Sequence, residues 1–544
     1  MLEGCVPRAD EEIARLRETG YWAGRTLGRL LRERSRTYGA RTALVDHDRR
    51  FSYAELDDWA DRLAAGFAKQ GIGRHDRILV QLPNSAEFVA VCFALFRLGA
   101  LPVFTLPAYR ADEVRHLCDI AQAVAYIVPD EFGGYDYRRL ARQVVESRPE
   151  LKNVFVDGDP GEFTALSGLA PSEVDSTAPD LPDPDPSDVA FFLLSGGTTA
   201  LPKLIPRTHD DYLYQARITA EIDRLDVGTV YLAVLPVEFN FTWGCPGIIG
   251  TLHAGGTVVL SASPSPDECF ELIERERVTL TSVVPTVLHL WLEGRQWSGH
   301  DLSSLQVVQV GSAKLHREVA EEVEPAFGCR LQQVFGMAEG LLTFTRFDDP
   351  PETIVGTQGR PVSEADEVRV VDSAGRDVGP GEIGELLARG PYTLRGYFRA
   401  PEHNAVAFTE DGFYHSGDLV RLTEDGNMVV EGRIKDVIIR GGDKVSATEV
   451  EAHLTAHEEV EQAAVVPVPD SLLGERTCAY LIVTPGRTAP ALAVLKEFLR
   501  RRGLADFKLP DEIEVVTEFP LTGLGKVDKK ALARVAARRP AETW

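Results

Sequence analysis

The chain is short of basic residues, has no paired cysteines and contains no long apolar run, and each shortage removes a class of function. Lys and Arg number 58 against 83 Asp and Glu in 544 residues, a formal net charge of −25. On average such a surface repels phosphate backbones and anionic lipid, so nucleic acid and membrane are excluded as bulk partners. Any polyanion must meet a local basic patch. No stretch approaches the ~20 apolar residues of a spanning helix. The opening residues lack the basic-then-apolar order of a signal peptide, and a cytoplasmic protein is expected. The seven cysteines, at 5, 92, 118, 245, 269, 329 and 478, are odd in number and scattered, with no C-x-x-C pair. That pattern suits reduced thiols packed as small core residues and disfavours both a disulfide frame and a zinc site. Internal repeats and low-complexity tracts are lacking too.

What is present reads as ordinary globular protein, 44% apolar and 26% charged, and too long for one hydrophobic core. Ser52-Tyr53-Ala54-Glu55 predicts a capping box opening an amphipathic helix with Leu56, Trp59, Leu63, Ala64 and Phe67 on one side. Strand-like runs at 77–82, 123–128, 229–235, 256–260, 280–284 and 305–310 alternate with helical ones. This implies an α/β fold of mostly parallel sheets covered by helices. A Pro-, Asp- and Ser-rich stretch from about 170 to 187 reads as an exposed loop. After about Glu364, shorter strands with Gly and Pro turns suggest a smaller, partly antiparallel region. Past Gly432 a further unit begins, with a second capping box at Ser446-Ala447-Thr448-Glu449 and a basic helix near 492–502.

The most informative run is Ser195-Gly196-Gly197-Thr198-Thr199-Ala200-Leu201-Pro202-Lys203, which follows the apolar strand 189–194. Glycines, hydroxyls and a lysine at a strand end suit a nucleotide phosphate, with backbone N–H groups converging on the anion. The spacing does not fit a Walker A loop. Four later stretches complete the pattern: Phe335-Gly336-Met337-Ala338-Glu339, Tyr414-His415-Ser416-Gly417-Asp418, Glu431-Gly432-Arg433-Ile434-Lys435-Asp436 and Leu521-Thr522-Gly523-Leu524-Gly525-Lys526. In this order the five resemble the adenylate-forming superfamily of acyl-CoA synthetases, luciferases and adenylation domains, over essentially the whole chain. The runs 203–212, 301–311 and 332–340 resemble its stand-alone aryl-acid ligases, which activate 2,3-dihydroxybenzoate or salicylate for siderophores and nonribosomal peptides.

The resemblance implies a large N-terminal domain over 1–434 and a small, mobile α+β C-terminal domain over 435–544. It implies ATP and Mg²⁺. Joining a carboxylate to the α-phosphate brings anions together, so cations and oriented donors matter more than a protein nucleophile. By resemblance Ser195, Gly196, Gly197, Thr198, Thr199 and Lys203 hold the departing phosphates; the family usually has glycine at Ala200. Glu339 is the implied magnesium ligand, a hard oxygen donor. Phe335, with Gly311, Gly336, Met337 and Ala338, is expected around the nucleotide, Asp418 at the ribose, and Arg433 at ribose or phosphate. Lys526 resembles the adenylation lysine and Lys435 the hinge, with Gly441-Gly442 on the face used for thiol transfer. His209 joins Lys203, Glu339 and Lys526 in the expected catalytic set.

The segment 235–247 matches the family's acid-pocket stretch. Asn240 stands where amino-acid-activating relatives carry an aspartate, and a neutral amide suits an ortho-hydroxyl. Phe241, Ala313, Val334 and Leu342 are the expected walls for a flat ring. A dihydroxybenzoate-type pocket carries serine and valine where this chain has Cys245 and Leu342, which favours salicylate. Phe239 replaces the family's usual histidine. Glu238 is unusual: reaching the pocket it would suit an amino-substituted ring such as 3-hydroxyanthranilate, and the expectation is that it points to solvent. The acceptor expected is the phosphopantetheine thiol of an aryl carrier protein, met by Arg500, Arg501, Arg502 and Lys508. An aryl-CoA ligase and a non-enzymatic nucleotide sensor are the rivals.

Overall fold

The computed structural model describes residues 1–148, 150–170, 183–195, 202–440, 443–470, 473–502, 504, 506–522 and 526–537. Their contacts form two compact units. The larger takes the described residues up to 367 together with 388–414; the smaller takes 368–387 and those from 415 onward.

The larger unit is built on two helix-covered sheets. One runs, in spatial order, Arg360–Pro361, Leu342–Phe344, Arg330–Gly336, Val307–Val310, Leu280–Val283, Val230–Ala233, Thr257–Leu260, Thr42–Asp46 and Arg49–Ser52. The strands from Arg330–Gly336 to Thr42–Asp46 are parallel, and antiparallel strands flank them at both sides. The other orders Leu204–Thr208, Val189–Leu194, Leu101–Phe104, Arg77–Val80, Ala125–Pro129, Asn153–Asp157 and Thr164–Ala165, with the first strand alone antiparallel to its neighbour. The alternation seen in the sequence is thus the crossover pattern of parallel sheets.

Local chemistry sets the helices. Ser52 accepts from the amide of Glu55 and Glu55 returns to the Ser52 amide, the expected capping box. The helix Ala86–Leu98 is apolar on every side and buries all its residues except Glu87, so it belongs in the core rather than on it. The helix His209–Ile222 starts at Thr208, which caps the Asp211 amide and receives the Asp211 carboxylate in return. It therefore leaves the strand Leu204–Thr208 at a fixed angle, with Asp211, Tyr212 and Gln215 buried along one side.

The smaller unit holds a four-stranded sheet, in which Tyr414–Leu422 pairs antiparallel with Met428–Arg433. A five-stranded sheet joins Asp443–Ser446, Val437–Arg440, Gly474–Val483 and Val460–Asp470, with Glu512–Val515 parallel to Gly474–Val483. Ser446 caps the Glu449 amide, but the second expected capping box is only half made. Glu449 turns its carboxylate to Lys508 Nζ, 2.7 Å from both oxygens, instead of returning to Ser446. An ammonium is a stronger partner for a carboxylate than a neutral amide. Among the described residues no helix is long and apolar enough to cross a membrane.

Candidate functional site

Ser195 and Lys203 close the base of the glycine-rich loop. The Ser195 amide donates to the Lys203 carbonyl at 2.9 Å, and the Lys203 amide donates to Ser195 Oγ at 3.0 Å. The loop residues Gly196, Gly197, Thr198, Thr199 and Ala200 lie outside the described residues. Lys203 sends its ammonium over the ring of Tyr397, 5.6 Å from the centroid. The Tyr397 hydroxyl donates to Glu339 Oε1 at 2.8 Å and lies 2.9 Å from the Tyr414 hydroxyl. Burial and the adjacent Glu339 charge push the Tyr397 phenol far up, so it remains a proton donor. One tyrosine thus joins the expected phosphate lysine to the expected metal ligand. The sequence reading missed it; the signal was the ring in Arg395-Gly396-Tyr397-Phe398, which no periodicity explains.

Glu339 ends a turn after the strand Arg330–Gly336. Phe335, Met337 and Ala338 are half-buried there, while Gly336 is exposed. A Cβ at Gly336 would stand 2.3 Å from Leu342 Cδ2, so a side chain there would displace the end of Leu342. Gly311 is held as tightly, with Val334 O at 2.8 Å and Phe241 Cε1 at 3.1 Å from a Cβ placed on it. Arg207, fully buried, donates from Nη1 to the Ala338 carbonyl at 2.9 Å and ties this turn to the start of the helix His209–Ile222.

His209 is placed differently from the other expected catalytic residues. It is fully buried, its Nδ1 accepts from the Leu27 amide at 3.2 Å, and its ring meets Phe96 edge-on. Burial pushes its pKa down to about 3, so the imidazole is neutral at any working pH. Its Nε2 is buried with no hydrogen-bond partner among the described residues.

Four of the expected acid-pocket residues lie together. Phe241, Cys245, Val334 and Leu342 belong to one apolar cluster and are 8%, 1%, 5% and 2% exposed. Phe239 packs against the same cluster from the N-cap of the short helix Asn240–Gly244. Asn240 is half-buried and accepts at Oδ1 from the Tyr212 hydroxyl at 2.9 Å and from Gln215 Nε2 at 3.0 Å. Gln215 Nε2 also lies 3.4 Å from Cys245 Sγ, and burial pushes that thiol up and keeps it protonated. Ala313 is exposed on the loop after Val307–Val310, following Ser312 with its φ of 68°.

Glu238 corrects an expectation. It does not face solvent: it is 5% exposed, and neither carboxyl oxygen has a hydrogen-bond partner among the described residues. The Phe239 amide closes a turn on the Pro236 carbonyl and Asn84 Oδ1 holds the Val237 amide, which tethers this stretch against the interior. Burial raises the Glu238 pKa well above the carboxylate range.

In the smaller unit Asp418 and Arg433 face each other across the strands Tyr414–Leu422 and Met428–Arg433, with Arg433 Nε 2.7 Å from Asp418 Oδ1. Asp418 is 3% exposed. Burial raises its pKa, while Arg433 and Lys526 pull it back. The Lys526 carbonyl accepts from the Thr522 amide at 2.7 Å. The three expected residues of this unit therefore share one electrostatic neighbourhood. The Lys435 side chain and Gly441-Gly442 lie outside the described residues. Among the described residues no group of three or more His, Cys, Asp and Glu side chains is arranged to hold a metal.

Comparison with known proteins agrees with this arrangement. Residues 31–398 match the AMP-binding enzyme family, and residues 449–526 match the AMP-binding enzyme C-terminal domain. The chain is 56% identical over 539 residues to a 2,3-dihydroxybenzoate-AMP ligase of Bacillus subtilis (strain 168), covering 99% of both chains. It is 46% identical to a salicyl-AMP ligase / salicyl-S-ArCP synthetase of Mycobacterium tuberculosis, covering 98% of this chain and 94% of that one. The apo structure of MbtA from Mycobacterium smegmatis superposes with a TM-score of 0.76 at 45% identity, covering 98% of each chain. The motifs, the two-sheet α/β fold and these matches along nearly the whole length make the chain a member of the AMP-binding, adenylate-forming enzymes.

Proposed function

We propose that the chain activates an aryl carboxylic acid with ATP, releases pyrophosphate, and passes the aryl group to the phosphopantetheine thiol of an aryl carrier protein in siderophore or nonribosomal peptide biosynthesis. The observation that carries this reading is the convergence of Lys203, Tyr397 and Glu339; the buried cluster of Phe241, Cys245, Val334 and Leu342, with Asn240, is the acid site we infer. Lys203 places positive charge for the β- and γ-phosphates. Glu339 fits Mg²⁺: it is a single hard carboxylate with one oxygen on Tyr397, and phosphate oxygens would complete the sphere. That ion would neutralise phosphate charge. The acid's carboxylate oxygen forms the new bond to the α-phosphorus as the bond to pyrophosphate breaks, and Lys526 stabilises the charge between them. Asp418 and Arg433 serve the ribose. Thiol attack on the acyl carbon then expels AMP, after the C-terminal domain, taken as 435–544, has turned about Lys435.

Within the aryl acids we infer salicylate. Cys245 and Leu342 are almost wholly buried in the pocket cluster, so a 3-hydroxyl meets a weak thiol partner and a bulkier wall. A buried hydroxyl left so costs ~1–3 kcal/mol. The relative named for 2,3-dihydroxybenzoate keeps that acid as the second reading. Carrier transfer rests on similarity to the salicyl-AMP ligase / salicyl-S-ArCP synthetase. The basic cluster of Arg500, Arg501, Arg502 and Lys508 supports it less than the sequence implied, because Arg500 pairs with Asp506, Arg501 with Glu497 and Lys508 with Glu449. ATP–pyrophosphate exchange across substituted benzoates tests the proposal: salicylate should exceed 2,3-dihydroxybenzoate in kcat/KM, and a reversed order returns the assignment to the dihydroxy acid.

A further inference from the structure

The Asn240 amide has a donor end and an acceptor end, and the packing around it decides which one meets the acid. The order is set at Arg207. Its guanidinium, 0% exposed, donates from Nε to Asp211 Oδ1 at 3.0 Å, from Nη1 to the Ala338 carbonyl at 2.9 Å, and from Nη2 to Gln215 Oε1 at 3.0 Å. A guanidinium only donates, so Gln215 must present its oxygen there and its Nε2 on the other side. Nε2 indeed donates to the Gly244 carbonyl at 3.0 Å, an atom that only accepts, which fixes Gln215 a second time. The same Nε2 donates to Asn240 Oδ1 at 3.0 Å, and the Tyr212 hydroxyl donates to that oxygen at 2.9 Å. Both lone pairs of Oδ1 are then used, and Nδ2 is the end left to face the half-open side. Reversing the Asn240 amide would set its N–H groups against those of Gln215.

Resting on the reading that this pocket binds an aryl acid, we propose that Arg207, Gln215 and Tyr212 form a polarity relay that makes Asn240 an obligate donor. The pocket therefore selects acids with a hydrogen-bond acceptor ortho to the carboxylate, a phenolic oxygen or a ring nitrogen, over those with an ortho-amino group. A phenolic oxygen accepts from Nδ2 while its own hydrogen turns to the neighbouring carboxylate. An aromatic amine has its lone pair drawn into the ring and offers N–H against N–H. This sets the structure against an ortho-aminobenzoate such as 3-hydroxyanthranilate. Arg207, Gln215 and Tyr212 act through Asn240 and are positioning residues. Arg207 also holds the Ala338 carbonyl one residue before Glu339, so one buried cation orders both the acid side and the nucleotide side.

The test is ATP–pyrophosphate exchange by the full-length enzyme with salicylate, pyridine-2-carboxylate, 2-aminobenzoate and benzoate. Salicylate and pyridine-2-carboxylate should exceed 2-aminobenzoate by about 10- to 100-fold in kcat/KM, the usual cost of a mispaired buried polar group. Equal use of 2-aminobenzoate, or a preference for it, overturns the relay. Gln215→Glu has no N–H to give Asn240, so the amide should reverse and the 2-aminobenzoate-to-salicylate ratio should rise by about tenfold or more. A merely structural role for Gln215 would lower all four acids alike, and that outcome also overturns it. Tyr212→Phe removes one donor and leaves Gln215 in place; the order of acids should survive with all rates lower, so the idea stays testable if Gln215→Glu does not fold. Wild-type exchange with no aryl acid at all would instead refute the function on which the relay rests.

Discussion

Two glutamates of the larger unit, Glu339 and Glu238, are buried to nearly the same degree, 8% and 5% exposed, and the fold treats them in opposite ways. Glu339 receives the Tyr397 hydroxyl, and Tyr397 in turn carries Lys203 over its ring and meets Tyr414. Glu238 has no partner for either oxygen among the described residues. Cys92 and Tyr137 are among the groups that sense it, and neither is cationic. Burial alone is therefore not a functional signal. An acid inside a connected network is positioned for charge chemistry, whereas an acid in an apolar setting is kept neutral and weakens the fold.

The largest effect expected from this contrast is on Glu339. Glu339→Gln keeps an acceptor for Tyr397 but removes the charge, so pyrophosphate exchange should fall by about 10²–10³-fold, the usual loss of one transition-state charge contact, with little change in melting temperature. A variant that stays active and melts later than wild type as pH rises would place Glu339 in the class of Glu238. Lys526 belongs to the smaller unit and shares its neighbourhood with Asp418. Lys526→Ala should lower adenylate formation by about 10² or more while transfer from a preformed aryl-adenylate to a thiol stays near wild type. Equal loss in both half-reactions would remove it from the adenylation step.

How far the sequence reached follows the same line. The parallel sheets and the Ser52 cap were legible, because periodicity and capping residues carry them, and Phe241, Cys245, Val334 and Leu342, grouped on a motif, are buried in one apolar cluster. Glu238 was misjudged, since its side depends on a turn held by Asn84, far away in sequence. Arg207 and Tyr397 were missed for a similar reason: their roles come from contacts with Ala338 and Glu339 that no local spacing encodes. His209 was read through its neighbours in a motif, and only packing against Phe96 and Leu27 showed its burial.

A smaller effect sharpens the contrast inside the proposed acid site, where Cys245 and Leu342 are buried in one apolar cluster. Cys245→Ser with Leu342→Val should move preference from salicylate toward 2,3-dihydroxybenzoate by roughly tenfold, equivalent to ~1.4 kcal/mol of hydroxyl pairing. Competition exchange with both acids reads this directly. An unchanged ratio would mean that neither side chain meets the 3-position.

The smallest effect on activity, and the plainest on stability, belongs to Glu238. Its folded pKa is raised by burial, so above the unfolded value near ~4.3 the folded chain holds a proton that the unfolded chain has released. The unfolded state then binds fewer protons, and stability falls as pH rises, by ~1.4 kcal/mol per unit until the folded pKa is reached. Glu238→Gln removes that dependence with nearly the same shape. The variant should gain in melting temperature over wild type as pH climbs from 5 to 7, and the gap should close toward pH 4, where both states of wild type are protonated. Salicylate exchange should stay near wild type throughout, because neither Glu238 oxygen belongs to the Arg207–Gln215–Asn240 chain of hydrogen bonds. A gap that is flat across this pH range would mean that Glu238 ionises in the folded protein and has found a partner after all.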